Sequence, residues 1–407
     1  MARPSLKSSI TIDVPSLTDS ARAVLRTVAS HGPSTRPHLS AILNFSKPTM
    51  SAAVTELERH GLVAPAGVNH GGIGRTSISY GLGEKAGIVI GIDCGTTQIH
   101  AVATTLDGTT VAGVEKTIGA LAGIDRFRMV AAVLEETLVK CEHQARLLRS
   151  VVIAVPNMIS ASLERLPDRE EFLDVVVRLN RKLGVPILLE NNVNCAALAE
   201  YHQGAAKDHS FAIYMQIGVK VGVGIVINGK LFGGFKGGAG EIGHLPFPWS
   251  DRENPRIGHV ETYLGSAALL ERVSKQWPTS AGQPPASTSE LIAMAATSKT
   301  ARAIIERHSE DIGALAAACV SMLDPELIVL GGGVGQNPIL LPGVSKIVEE
   351  LCWPVQVVVS QLSGRATVLG AARLAMDYSL ASLLGDNVRT AFVYSGGRAA
   401  GPAAPTR

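Results

Sequence analysis

Three short apolar runs, each closed by a glycine turn, limit what this chain can fold into. They are Ile88-Val89-Ile90-Gly91-Ile92-Asp93 before Gly95, Phe211 to Ile217 before Gly218, and Leu327-Ile328-Val329-Leu330 before Gly331-Gly332-Gly333. Runs of this length and apolarity read as buried strands. From Ala86 onward they alternate with helical stretches, the pattern of an α/β fold. A glycine turn after such a strand has two readings: it brings backbone N–H groups close to a phosphate, or it only ends the strand. At 407 residues the chain exceeds a single core and is expected to form two or three units.

Composition is that of a globular protein, with 46% hydrophobic and 18% charged residues. Charge is unevenly spread. Up to Lys85 there are nine basic residues against five acidic ones, a balance of +4 within an overall +2. Such a front end suits contact with a polyanion. The five cysteines are scattered without a CxxC pair, and no apolar run reaches the length of a membrane span. A reduced, cytoplasmic protein with no membrane partner is expected.

Residues 16–84 read as a winged helix-turn-helix. Ala21, Val24, Leu25 and Val28 recur at helical spacing behind a cap at Thr18, giving a first helix to about Ser30. A second helix runs from Ser34 or Thr35 to Leu43 and is expected to bury Leu39, Ile42 and Leu43. After Asn44-Phe45, Ser46 caps a third helix with Pro48 in its first turn and Met50, Val54 and Leu57 facing inward. Its outer face offers Ser46, Lys47, Thr49, Ser51 and Ala52 to a major groove. Beyond Val63, the glycine-rich segment Gly71-Gly72-Ile73-Gly74-Arg75-Thr76 reads as a hairpin tip that puts Arg75 into a minor groove. Taken alone, the three helices would equally suit a dimerisation or docking domain.

The segment Glu190-Asn191-Asn192-Val193-Asn194, followed by small residues to Glu200, resembles the ROK family of sugar kinases and sugar-responsive repressors, as does Gly240-Glu241-Ile242-Gly243-His244. The resemblance extends from about Ser16 to Met376. It implies an α/β chain with a winged helix-turn-helix head and a two-lobed actin-like body that holds its ligand in the cleft between the lobes. The implied ligand-binding residues are Asn191, Asn192, Glu241, His244 and Glu261, the last in Gly258-His259-Val260-Glu261-Thr262-Tyr263. Side chains that donate and accept, converging in one place, are what sugar hydroxyls require. Where the family's kinases have a catalytic Asp, this chain has Asn192. An amide cannot accept the proton of the attacking hydroxyl, and general-base help contributes about 10²–10⁴ in rate.

The phosphate loops depart too. Thr96 and Gln98 replace a glycine and a lysine of the family's first loop, and Val219 and Lys220 occupy its second; Lys220 could instead bind an anion. Three positions that are zinc-binding cysteines in many members align with Arg252, Asn254 and His259, so neither a structural zinc nor another cofactor is expected.

The resulting expectation is a DNA-binding regulator, more a repressor than an activator, that answers to a sugar or sugar derivative and has no catalytic residues. Its partners would be duplex DNA and a second copy, as a homodimer or dimer of dimers, because two recognition helices must reach half-sites about 34–36 Å apart. The rival readings are an active sugar kinase with a DNA-binding head, and a regulator controlled by a partner protein. The boundaries expected are a flexible tail over 1–15, the head over 16–84, the sensing body over 85–384, and a disordered tail over 385–407.

Overall fold

The structure is a computed structural model and describes residues 15–71, 75–119, 124–156, 169–235, 237–245, 258–386, 392–395 and 398–400. Residues 1–14, expected to be a flexible tail, lie outside it. The chain divides into two compact units, one formed by residues 1–159, 163–190 and 371–407, the other by 160–162 and 191–370.

The first unit opens with three helices, α1 (Asp19–His31), α2 (Arg36–Leu43) and α3 (Lys47–His60). Each starts at a hydroxyl cap, where Thr18, Thr35 and Ser46 accept from the N–H groups of Ala21, His38 and Thr49. Ala21, Val24, Leu25 and Val28 of α1 are buried with Leu39 of α2 and Met50, Val54 and Leu57 of α3. Two polar links set the α1–α3 angle: the Thr18 N–H and hydroxyl donate to Glu56 at 2.9 and 2.6 Å. One expectation fails here. Ile42 is 43% exposed, because α2 turns only its Leu39 side fully inward. The wing is an antiparallel hairpin of β2 (Val63–Gly71) and β3 (Arg75–Leu82), extended by the two-residue β1 (Ser34–Thr35) on β3.

The rest of that unit is a seven-stranded sheet. Its core order is β6 (Thr110–Thr117), β5 (Gln98–Thr105), β4 (Ile88–Cys94), β7 (Leu148–Val155), β8 (Ile187–Asn191). The helices α4 (Ile124–Lys140) and α5 (Arg169–Leu183) supply Val130, Val133, Leu134, Val176 and Leu179 to the core over one face. Past β8 lie β14 (Phe392–Ser395) and β15 (Arg398–Ala400), with Phe392 opposite Leu189 and Tyr394 opposite Ile187. The tail from Gly385, expected to be disordered, therefore contributes two strands. Phe392-Val393-Tyr394 is a β-forming run set among glycine, alanine and proline, and the average composition conceals it.

The second unit repeats the same core order. Its sheet runs β11 (Lys230–Leu231), β10 (Val221–Ile227), β9 (Phe211–Ile217), β12 (Leu327–Gly331), β13 (Gln356–Val359). In both sheets a β-meander supplies three strands, and its first strand pairs in parallel with a strand reached by a crossover. No tandem repeat is visible in the sequence; the repetition is one of topology.

Helix α6 (Asn192–Gln203) is buried from Val193 to Glu200. Its small residues are there because backbone comes close on two sides. A Cβ at Gly224 of β10 would lie 2.6 Å from the Ala197 Cβ and 2.7 Å from the Val193 carbonyl oxygen, and one at Gly370 would collide with the Cys195 carbonyl. At its C-terminal end Glu200 is fully buried and accepts from the N–H groups of Ala205, Leu362 and Gln361 at 2.7, 3.0 and 3.3 Å, and from the Ser360 hydroxyl.

Candidate ligand site and nucleic-acid interface

The third helix of the head presents the residues expected to meet DNA. Ser46, Lys47, Thr49, Ser51 and Ala52 are all exposed. The hydroxyls of Ser46 and Thr49 lie 2.8 Å apart, so part of their hydrogen-bonding capacity goes into starting the helix. Thr55, also exposed, continues the face one turn beyond Ser51; sequence reasoning passed over it although helical spacing places it there. Arg36 braces the back of this helix, pairing with Glu58 at 3.3 Å and lying 4.9 Å over the Tyr80 ring. Arg75 opens β3 next to the hairpin tip; its side chain and residues 72–74 lie outside the described residues.

The ligand-site candidates all belong to the second unit. Asn191 ends β8 and caps α6, its side-chain oxygen accepting from the N–H of Val193 at 2.7 Å and of Asn194 at 3.4 Å. Its role is thus partly structural, which the sequence reading did not anticipate. Asn192 follows as the first residue of α6 and is half-buried. Glu241 sits after Gly240, whose φ of +83° and backbone pairing with Val223 at 2.9 Å force the turn. Its carboxyl is raised above the usual range, first by burial and further by the Glu261 charge, against the opposing pull of His244 and Lys220.

Glu261 begins α7 (Glu261–Leu264) and lies between two glycines, with Cβ positions at Gly243 and Gly258 3.6 and 3.9 Å from its carboxylate oxygens. Glu241, His244, Glu261 and Lys220 thus form one electrostatic cluster. His244 itself is exposed. Lys220, for which the sequence leaves an anion-binding role open, pulls the Glu241 carboxyl down by its charge.

At the third glycine turn one reason for the glycines is visible. At Gly331 a Cβ would strike the Tyr214 ring, and at Gly332, with φ +82°, it would lie 2.6 Å from the Ile217 carbonyl oxygen. Packing at Gly331 and backbone conformation at Gly332 therefore both require glycine there. Val219 is 65% exposed on the β9–β10 turn. Burial pushes the Asp93 carboxyl, at the end of β4, up to about 7.

Of the aligned zinc positions, Arg252 and Asn254 lie outside the described residues, as does the rest of the loop from Pro246 to Ile257. His259 is buried, its Nδ1 without a hydrogen-bond partner among the described residues. Among the described residues no group of three or more His, Cys, Asp or Glu side chains could hold a metal ion, and no helix is long and apolar enough to cross a membrane.

Comparison with known proteins finds two family matches. Residues 16–71 match the MarR family and residues 89–378 the ROK family. The xylose repressor of Caldicellulosiruptor bescii is 25% identical over 381 residues, covering 87% of this chain and 94% of that protein. The crystal structure of a ROK family transcriptional regulator, a homologue of the E. coli MLC protein, superposes with a TM-score of 0.72 at 23% identity, covering 89% and 96% of the two chains. The ROK hexokinase of Thermus thermophilus gives 0.56 at 26% identity, with 72% of this chain and 98% of the hexokinase covered. The body has the actin-like fold of such proteins behind a helix-turn-helix head, and the chain belongs to the ROK family.

Proposed function

We propose that the chain is a sugar-responsive, DNA-binding transcriptional repressor whose kinase-like body senses and does not turn over its ligand. The observation that carries the reading is the pairing of an exposed recognition helix with a sugar-type cluster that has Asn192 where a kinase needs a base. The relative named a xylose repressor, alignable over almost its full length, supports the same reading. Ligand acts by binding one arrangement of the body better than another, which alters how two heads of a dimer meet their half-sites.

Two experiments test this. First, ATP consumption is measured with a panel of free and phosphorylated pentoses and hexoses, D-xylose among them. Turnover no faster than without sugar is expected; efficient phosphorylation of any member would promote the kinase reading. Second, binding to genomic fragments selected by the purified protein is followed against salt. Lys47→Ala should lower the salt slope by about one per head and weaken binding. An unchanged slope would remove Lys47 from the interface.

A further inference from the structure

Helix α7 is one turn long and has no side-chain N-cap. Such a turn does not hold its own geometry in water, so the direction of the Glu261 carboxylate depends on outside anchors. Val260 and Leu264 are fully buried and fix where the turn lies. Its polar anchors converge on Tyr263. The Tyr263 hydroxyl donates to Asp311 Oδ2 at 2.9 Å, the Arg272 guanidinium lies 4.6 Å over the ring, and the same guanidinium donates to the Tyr263 carbonyl. Arg307 pairs with Asp311 Oδ1 at 3.3 Å. Asp311 is buried midway along the helix Lys299–Leu323, which at 25 residues serves as a fixed platform.

We propose that Asp311 is a positioning residue of the ligand site, acting through Tyr263 to set where the Glu261 carboxylate points. This rests on the reading of Glu261 as a group that binds sugar hydroxyls. The apolar anchors already secure the position of the turn, so the polar chain adds orientation. A phenol donating to a carboxylate is a charge-assisted bond with a narrow preferred geometry. Arg307 also hydrogen-bonds the Tyr263 hydroxyl, but being exposed it contributes little by itself. Arg272 holds the ring from the other side, so rotation of Tyr263 would break these contacts together.

The test is calorimetric titration of the panel of free and phosphorylated pentoses and hexoses into the full chain and into Tyr263→Phe, Asp311→Asn, Glu261→Gln and the Tyr263→Phe/Glu261→Gln double variant. Thermal unfolding of each is measured alongside. Phe keeps the ring, its packing and the cation above it, so Tyr263→Phe should unfold close to the parent. Its affinity for the sugar that binds should fall about five- to tenfold, the loss of one hydrogen bond's worth of orientation. Asp311→Asn should lose affinity in the same sense. In the Glu261→Gln background Tyr263→Phe should cause no further loss, because the carboxylate it orients is gone. Equal binding by parent and Tyr263→Phe, or a full additional loss in the Glu261→Gln background, overturns the positioning role alone. A parent chain that binds none of the panel overturns the proposed sensing function and this role with it.

Discussion

Replacing Glu200 by Ala lowers the stability of the second unit, which holds the proposed ligand cluster, by about 3–5 kcal/mol. The carboxylate is fully buried and accepts three backbone N–H groups and the Ser360 hydroxyl, joining the end of α6 to the loop after β13. Alanine leaves those donors in the interior without a partner, at about 1–3 kcal/mol for each one that water cannot reach. Glutamine keeps one acceptor and should cost less than half as much. The cooperative unfolding of two units need not coincide, so hydrogen exchange of the α6 amides is the better reading. Exchange at those amides should speed up at least a hundredfold in Glu200→Ala. Rates within threefold of the parent would show that this carboxylate does not hold the helix. Since α6 carries Asn191 and Asn192 at its other end, ligand affinity should fall as well.

Gly240→Ala should abolish the response to sugar while sparing DNA binding. Gly240 adopts φ +83°, where an alanine is strained by about 1–2 kcal/mol, and its Cβ would collide with the Val223 carbonyl oxygen. The turn has to open, and Glu241, the next residue, moves out of the cluster it shares with Lys220, His244 and Glu261. Each sugar hydroxyl left without its partner in the site then costs about 1–3 kcal/mol of affinity. Titration with the sugar that binds the parent checks affinity, and a gel shift without sugar checks the head. Parental sugar affinity in this variant would exclude Glu241 from the site.

Most of the head was legible in the sequence because its signals are local. Thr18, Thr35 and Ser46 each act within three residues, and the apolar positions of α1 and α3 repeat at the helical period. Ile42 was misread because α2 is only two turns long, and a short helix does not reveal how wide its buried face is. In the body, the three strands that precede glycine turns were legible, but the reason for the glycines was not. Gly331 and Gly224 are explained by Tyr214 and by α6, and those contacts exist only after folding.

Glu200 went unnoticed as a structural group because three of its four partners lie 160 to 162 residues away. Asn191 was read as a ligand contact; its capping of α6 shows only in the backbone geometry. The Tyr263–Asp311 link likewise joins positions 48 residues apart in sequence. The repeated strand order of the two sheets leaves no trace in the residues, since burial constrains hydrophobicity far more than identity.

The most direct test of the account is a two-way titration. Fluorescence anisotropy of a genomic fragment selected by the purified full-length chain gives DNA affinity with and without the binding sugar, and calorimetry gives sugar affinity with and without that fragment. The account predicts that sugar weakens DNA binding by about 5- to 150-fold and that the fragment weakens sugar binding by the same factor. DNA affinity that is unchanged at saturating sugar would contradict it.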